Sequence, residues 1–381
     1  SPHQVYANAV ERGIVKQSII KRHELLSCHA LVKLDRSCRK QAIPNPIAMP
    51  AGAVTRCYGC GKTTDRVHAL YVFSCPLCGN TFHKLRALRR NLGNKTALVI
   101  GGRTKLGHQV ALKLLQAGAN VIVTTRFPLQ AQAIFAQYDN YKSFACRLPF
   151  APSLDLRPCT TDGTLSGRLK RLVDFVRQAS GESGALHILV NCAAQTIACR
   201  ERQSAEQRSA SAQKNRYGDA LHVASDEQNS WALRFEDVSE QELRDVHDIN
   251  AIGIALLVQA MLPLLKQSKS APYVVNVHAR EGLFQTHKSA KHFHTNMAKA
   301  SLHMLTRMLC EQRLETHSGQ EFRIHGVDPG WFSVDEYYEN GAPMPCAPLD
   351  EIDAAARVCY PIFKQLQSSG RTRRHFDQFA V

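Results

Sequence analysis

From Lys95 onward, short β-type apolar runs alternate with helical patterns, and no other feature of the chain limits its fold so tightly. Runs at Thr96–Ile100, Val121–Thr125, His187–Asn191, Tyr273–Val277 and Arg323–Val327 read as strands; 108–117, 243–265 and 296–311 read as helices. Such alternation predicts βαβ units and an α/β fold with a doubly wound parallel sheet covered on both faces. Apolar residues make up 44% of 381, enough for a large core, which excludes wholesale disorder and fibrous classes. No uninterrupted apolar run reaches 18 residues, so no membrane span is expected.

Charge is unevenly placed. The chain carries a formal +16. Residues 1–105 hold 18 Lys/Arg against 4 Asp/Glu, a net +14, and the remainder is nearly neutral. Basicity confined to one quarter points to an appended contact region. Residues 1–53 are expected to be a basic helical extension and linker, 54–90 a cysteine module with a basic helix, and 91–381 the sheet domain. A polar, Ser/Ala/Gln-rich surface insertion is expected at about 200–230. Helix-period apolar positions among basic ones in residues 3–40 fit an organelle-targeting or docking helix, and an amphipathic surface helix reads the same way. A reducing compartment follows from mostly scattered cysteines, with the mitochondrial matrix expected and the cytoplasm as the alternative.

Four of the 13 cysteines are grouped: Cys57-Tyr58-Gly59-Cys60 and Cys75-Pro76-Leu77-Cys78. Two C-x-x-C pairs bring four thiolates to one ion, so Cys57, Cys60, Cys75 and Cys78 are predicted to hold structural Zn²⁺ in a ribbon. Val67–Phe73 reads as a strand between them, and His83 as a bystander. Downstream, Lys84, Arg86, Arg89, Arg90, Lys95, Arg103 and Lys105 occur with no acid up to residue 105. That pattern fits contact with nucleic acid, RNA favoured, or with an acidic protein surface, within a multi-subunit assembly.

After the first strand comes Gly101-Gly102-Arg103-Thr104-Lys105-Leu106-Gly107, opening into a helix, an arrangement that receives a pyrophosphate. Here the sequence resembles the short-chain dehydrogenase/reductase family over roughly residues 95–365. Gly101 and Gly107 match the family's first and last loop glycines; Lys105 stands at the middle one. The resemblance implies a dinucleotide held by Gly101, Arg103, Gly107, Arg126, Asp155, Asn191, Lys299, Pro329 and Gly330. Arg126 and Arg103 would suit the 2′-phosphate of NADP. It also implies a catalytic tetrad, of which Asn250 and Lys299 are present.

The other two members are replaced. Thr295 stands four residues before Lys299, where the family's tyrosine acid belongs, and His278 is read at the serine position. A threonine hydroxyl is far too weak an acid for this role. His278, His292 or His294 offer substitute proton donors, against the plainer reading of unrelated core or surface histidines. Three readings follow: a catalytically degenerate structural or RNA-associated subunit, as of an organellar ribonucleoprotein; an active NADPH-dependent oxidoreductase with an atypical acid; and an NADP-binding redox sensor.

Overall fold

The structure is a computed structural model describing residues 45–49, 52–194, 233–286, 288, 291–332, 338–339, 342–343 and 347–366. The expected N-terminal helix and the 200–230 insertion lie outside the described residues. Five strands form the main sheet: β1 (Thr96–Ile100), β2 (Asn120–Thr124), β3 (Ile188–Asn191), β4 (Tyr273–Val277) and β5 (Arg323–Val327). All pairs are parallel, in the order β5-β4-β3-β1-β2.

The longer helices are α1 (Pro76–Ala87), α2 (Lys105–Gln116), α3 (Pro128–Ala136), α4 (Leu165–Ala179), α5 (Glu240–His247), α6 (Gly253–Lys266), α7 (Phe293–Glu311) and α8 (Glu351–Lys364). Successive side chains of β1 point to opposite faces, as the pleat requires. Ala97 and Val99 pack with Val110 and Leu114 of α2 and Ala355 and Val358 of α8. Leu98 and Ile100 pack with Leu169 of α4, Leu257 of α6 and Leu302 of α7. Because both faces are covered, the central strands β1 and β3 are apolar runs, whereas the edge strand β5, Arg-Ile-His-Gly-Val, alternates. Strand β1 lies between β2 and β3, so the chain winds outward both ways from it. The crevice beyond the carboxyl ends of β1 and β3 is where such a sheet takes ligands.

Two expected elements come out differently. The pattern at 243–265 is one continuous helical stretch, Glu240–Lys266, but a π-helical turn, Asp248–Ile252, interrupts its α-helical geometry between α5 and α6. The whole stretch Glu240–Lys266 is long and apolar enough to cross a membrane, but 56% of its most apolar window is buried, as befits a core helix. The strand expected at 67–73 is reduced to Arg66–Val67. Beyond it the backbone folds through turns, Tyr71 N–H to His68 O and Ser74 N–H to Tyr71 O, which drive Tyr71 into an apolar cluster with Phe82 and Leu349.

That cluster joins the cysteine module to the sheet domain. Arg86 of α1 is ion-paired with Asp350 and Asp353 of α8 at 2.8 and 2.9 Å, with its side chain only 7% exposed. Tyr71 Oη donates to Asp353 at 2.8 Å, and the Arg357 guanidinium lies 4.6 Å from the Phe82 ring centroid. Of the basic residues on this helix, Lys84 is exposed, but Arg86 is not part of a basic surface. Arg86 points inward, and Arg89 donates to the Arg86 and Leu88 carbonyls. Acids some 264 residues away in sequence neutralise the charge, and no local pattern announces them.

Lys113 of α2 is also enclosed, donating to Arg86 O at 2.8 Å. Burial pulls its pKa down to about 7, helped by Arg89 and Arg86 and opposed by Cys359 and Asp353. A base with a depressed native pKa binds fewer protons folded than unfolded, so its presence costs stability below the unfolded value near 10.5. That cost grows as pH falls from about 10.5 to about 7 and is level below it. Lys113→Met is therefore expected to stabilise the fold by about 2 kcal/mol at pH 7. Its advantage should shrink as pH rises from 7 toward 10, by at most ~1.4 kcal/mol per unit. Urea unfolding of both proteins across that range would show it.

Candidate nucleotide and metal sites

The glycine loop is shaped by contacts that side chains would prevent. A Cβ on Gly107 would lie 2.2 Å from Gly101 O, and one on Gly101 would lie 2.8 Å from Ala193 Cα. Gly101 and Gly102 both donate to Thr124 O at 3.0 Å, tying the loop across the ends of β1 and β2. Lys105 adopts a left-handed backbone, φ +49°. A lysine thus holds the conformation a glycine would adopt without strain, and the loop keeps its shape. Helix α2 starts without a side-chain cap or an acid in its first turn. Its N–H groups and positive dipole end face the crevice, with Arg103 beside them.

At the end of β2 the guanidiniums of Arg103 and Arg126 lie 5.4 and 5.5 Å from the centroid of Phe127, which is half exposed. Both cations thus contact one ring at the carboxyl end of β2. Nearby, burial would raise the Asp155 carboxyl. Hydrogen bonds from Arg157 outweigh that and hold it below its usual range. The ion pair closes at 2.7 Å.

Lys299 sits on α7 with its Nζ donating to Val277 O at 3.1 Å. Burial lowers its pKa to about 8, partly offset by Glu281, Cys192 and Asp328, which places it beside the carboxyl ends of β3, β4 and β5. One turn earlier, the Thr295 hydroxyl is buried, 2% exposed, with no hydrogen-bond partner. Asn250 lies in the π-helical turn, where its amide donates to Val246 O at 2.9 Å.

His278 does not open onto this crevice. Its Nε2 is 2.8 Å from Thr306 Oγ1, its ring lies 3.9 Å from that of His303, and the ring packs on Gly326, where a Cβ would come within 2.0 Å of Cε1. Burial, then His303 and Lys299, push its pKa well down, so it is held neutral. Asn191 turns the same way: its amide donates to Asn276, whose own amide donates to Thr306. These residues tie β3, β4 and α7 together beneath the crevice. His294, fully enclosed, lies 3.9 Å from Glu242. His292 takes a left-handed backbone at the start of α7. Asp328 accepts Gly330 N–H at 2.8 Å and shapes the turn Pro329–Trp331.

The cysteine prediction meets a compact cluster. The sulfurs of Cys57, Cys60, Cys75 and Cys78 all lie within 4.8 Å of one another, and His83 is not among them. Gly59 N–H and Cys75 N–H donate to Cys57 Sγ at 3.3 and 3.2 Å. Gly59 is required, since a Cβ there would lie 2.6 Å from Cys78 Cβ. Burial and the neighbouring sulfurs push the Cys78 thiol far above its ordinary value. Four thiolates at this spacing need a cation to coexist, and a tetrahedral site with Zn–S bonds of about 2.3 Å fits the cluster.

Three residues here carry no local sequence signal: Glu281, whose charge acts on Lys299, Phe127, in contact with both arginines, and Tyr58. The Tyr58 hydroxyl accepts Trp331 N–H at 2.8 Å. No local pattern marks Tyr58, because its partner is 273 residues away.

Comparisons with known proteins agree with this architecture. An uncharacterized protein of Acanthamoeba polyphaga mimivirus is 37% identical over 350 residues, covering 83% of this chain and 73% of its own length. The 3-oxoacyl-[acyl-carrier-protein] reductase of rhamnolipid biosynthesis from Pseudomonas aeruginosa is 25% identical over 246 residues, covering 64% of this chain and 74% of its own. The carbonyl reductase Sniffer of D. melanogaster superposes with a TM-score of 0.50 at 20% identity, over 71% of this chain and 92% of its own. The profile of the short chain dehydrogenase family matches residues 95–340, which take in the glycine loop, the five-stranded sheet and Lys299, and the chain is a member of that family.

Proposed function

We propose that this chain is an NADP-binding, catalytically degenerate member of its family that serves as a structural subunit of a larger assembly, with zinc in its four-cysteine module. The observation that carries the reading is Thr295: the position one turn before Lys299 holds a buried hydroxyl that cannot protonate a substrate near neutral pH. His278, the residue read at the serine position, faces Thr306 and stays neutral. What remains serves to hold a nucleotide: the glycine loop, the α2 N-terminus, Lys299 for a ribose, and Arg103 and Arg126 for a 2′-phosphate. NADPH carries a transferable hydride when bound, which this site leaves without a proton donor to complete a reduction, and Lys299 would orient its ribose.

Arg126→Ala is expected to weaken NADPH binding about 10- to 100-fold while leaving NADH binding unchanged, since one charge-assisted contact to phosphate is worth about 1.5–3 kcal/mol. Fluorescence titration of both nucleotides would measure it. Equal losses for the two would remove the 2′-phosphate assignment.

Contact with RNA, or with an acidic protein surface, is proposed for the basic region within residues 1–105. With Arg86 neutralised, its described exposed cations are Arg56, Lys62, Arg66 and Lys84, with Asp65 as an exposed acid among them. Isolation of the native complex with and without nuclease tests this: a particle that nuclease dismantles supports RNA, and a nuclease-resistant one supports a protein partner.

One observation favours a second reading, an NADPH-dependent reductase like the named relatives. Burial lowers the Lys299 pKa to about 8, with Glu281 and Asp328 pulling it back up, so the charge a working site needs is still within reach.

A further inference from the structure

The turn Pro329–Trp331 has two consecutive amides, each fixed by a different part of the molecule. Gly330 N–H is held by Asp328, at the end of β5, at 2.8 Å. Trp331 N–H is held by the hydroxyl of Tyr58, from the cysteine module, at 2.8 Å. Tyr58 is bracketed by metal ligands: Cys57 precedes it and Cys60 follows two residues later, and its own N–H donates to Phe73 O just before Cys75. Both knuckles therefore set where its backbone lies. Its ring packs edge-on to Phe82, centroids 6.4 Å apart. Gly330 has φ +82°, and a Cβ there would lie 2.9 Å from Tyr58 Oη and 2.8 Å from Leu349 Cδ1. The tyrosine and leucine close over the turn from one side, and Asp328, whose charge Lys299 feels, holds it from the other.

We propose that Tyr58 is a positioning residue through which metal bound by Cys57, Cys60, Cys75 and Cys78 sets the Pro329–Trp331 turn and with it the affinity for dinucleotide. The inference rests on the reading that the thiolates hold zinc and that this turn faces a nucleotide. An ion on the four sulfurs fixes both knuckles; the fixed knuckles hold the Tyr58 ring; its hydroxyl holds the Trp331 amide. Without the ion the knuckles separate and the hydroxyl no longer has one position. Coupling between two sites is reciprocal, so dinucleotide should in turn slow loss of the metal.

The test compares wild type and Tyr58→Phe, full-length, each zinc-loaded and chelator-stripped. Hydrogen exchange at the Trp331 amide is read by mass spectrometry, and NADPH binding by fluorescence. Phenylalanine keeps the ring but removes the acceptor, so the variant is expected to retain its zinc and its melting temperature. It should nevertheless exchange the Trp331 amide at least tenfold faster and bind NADPH about tenfold more weakly. At a temperature where circular dichroism shows the stripped proteins still folded outside the module, stripping wild type should reproduce both changes, and stripping the variant should add little to them. Unchanged Trp331 exchange in zinc-loaded Tyr58→Phe overturns the proposal, even if stripping disturbs the wild-type turn. So does an equal further effect of stripping on the variant. If NADPH does not bind wild type at all, the nucleotide reading fails, and the amide exchange alone still decides whether metal and turn are joined.

Discussion

Cys57→Ser is expected to release the metal and unfold the module, lowering the melting temperature by more than 10 °C. Cys57 is the buried cysteine of the four and accepts two backbone N–H groups, so serine would lose both the sulfur and the anchor of the knuckle. Structural zinc sites of this type supply on the order of 10 kcal/mol of folding free energy. The module also props one end of the sheet domain through Tyr71, Phe82 and Leu349, so the loss should spread beyond residues 54–90. Elemental analysis should find one zinc per chain in wild type and none in the variant, and chelation of wild type should lower its melting temperature toward that of the variant. A metal-free wild type with an unchanged melting curve would contradict the assignment.

Arg86→Met is expected to cost about 3–5 kcal/mol, because it leaves the carboxylates of Asp350 and Asp353 without their cation. Both acids also form the capping box of α8, whose end would then carry uncompensated negative charge. Lys84, on the same helix but exposed, is the control: Lys84→Ala should change stability by less than about 0.5 kcal/mol. Chemical denaturation of both variants separates a charge committed to packing from one displayed to a partner. Equal, small effects would return Arg86 to the basic surface.

Those two arginine and lysine positions show where sequence reasoning stopped. Period-2 and period-3.6 apolar patterns are local, so all five strands of the sheet were legible to within a residue or so of their ends, as were α2 and α7 in outline. The cysteine cluster was legible because thiolate chemistry fixes ligand spacing within each pair. Long-range pairings leave no local trace. Arg86 with Asp350, Tyr58 with Trp331 and His278 with Thr306 join residues between 28 and 273 positions apart. Lys84 and Arg86 look alike in the sequence, and only the acids of α8 tell them apart. The π-helical turn at 248–252 escaped for a different reason: one inserted residue barely disturbs an apolar stripe that is otherwise continuous.

A site that holds a dinucleotide without reducing anything with it is tested by titrating NADPH against the zinc-loaded protein and then following absorbance at saturating NADPH with a panel of aldehydes, ketones and 3-oxoacyl thioesters. Saturable NADPH binding that Lys299→Met weakens is expected, with no substrate-dependent oxidation. Oxidation that depends on substrate and is abolished by Lys299→Met would contradict it and establish the reductase reading instead.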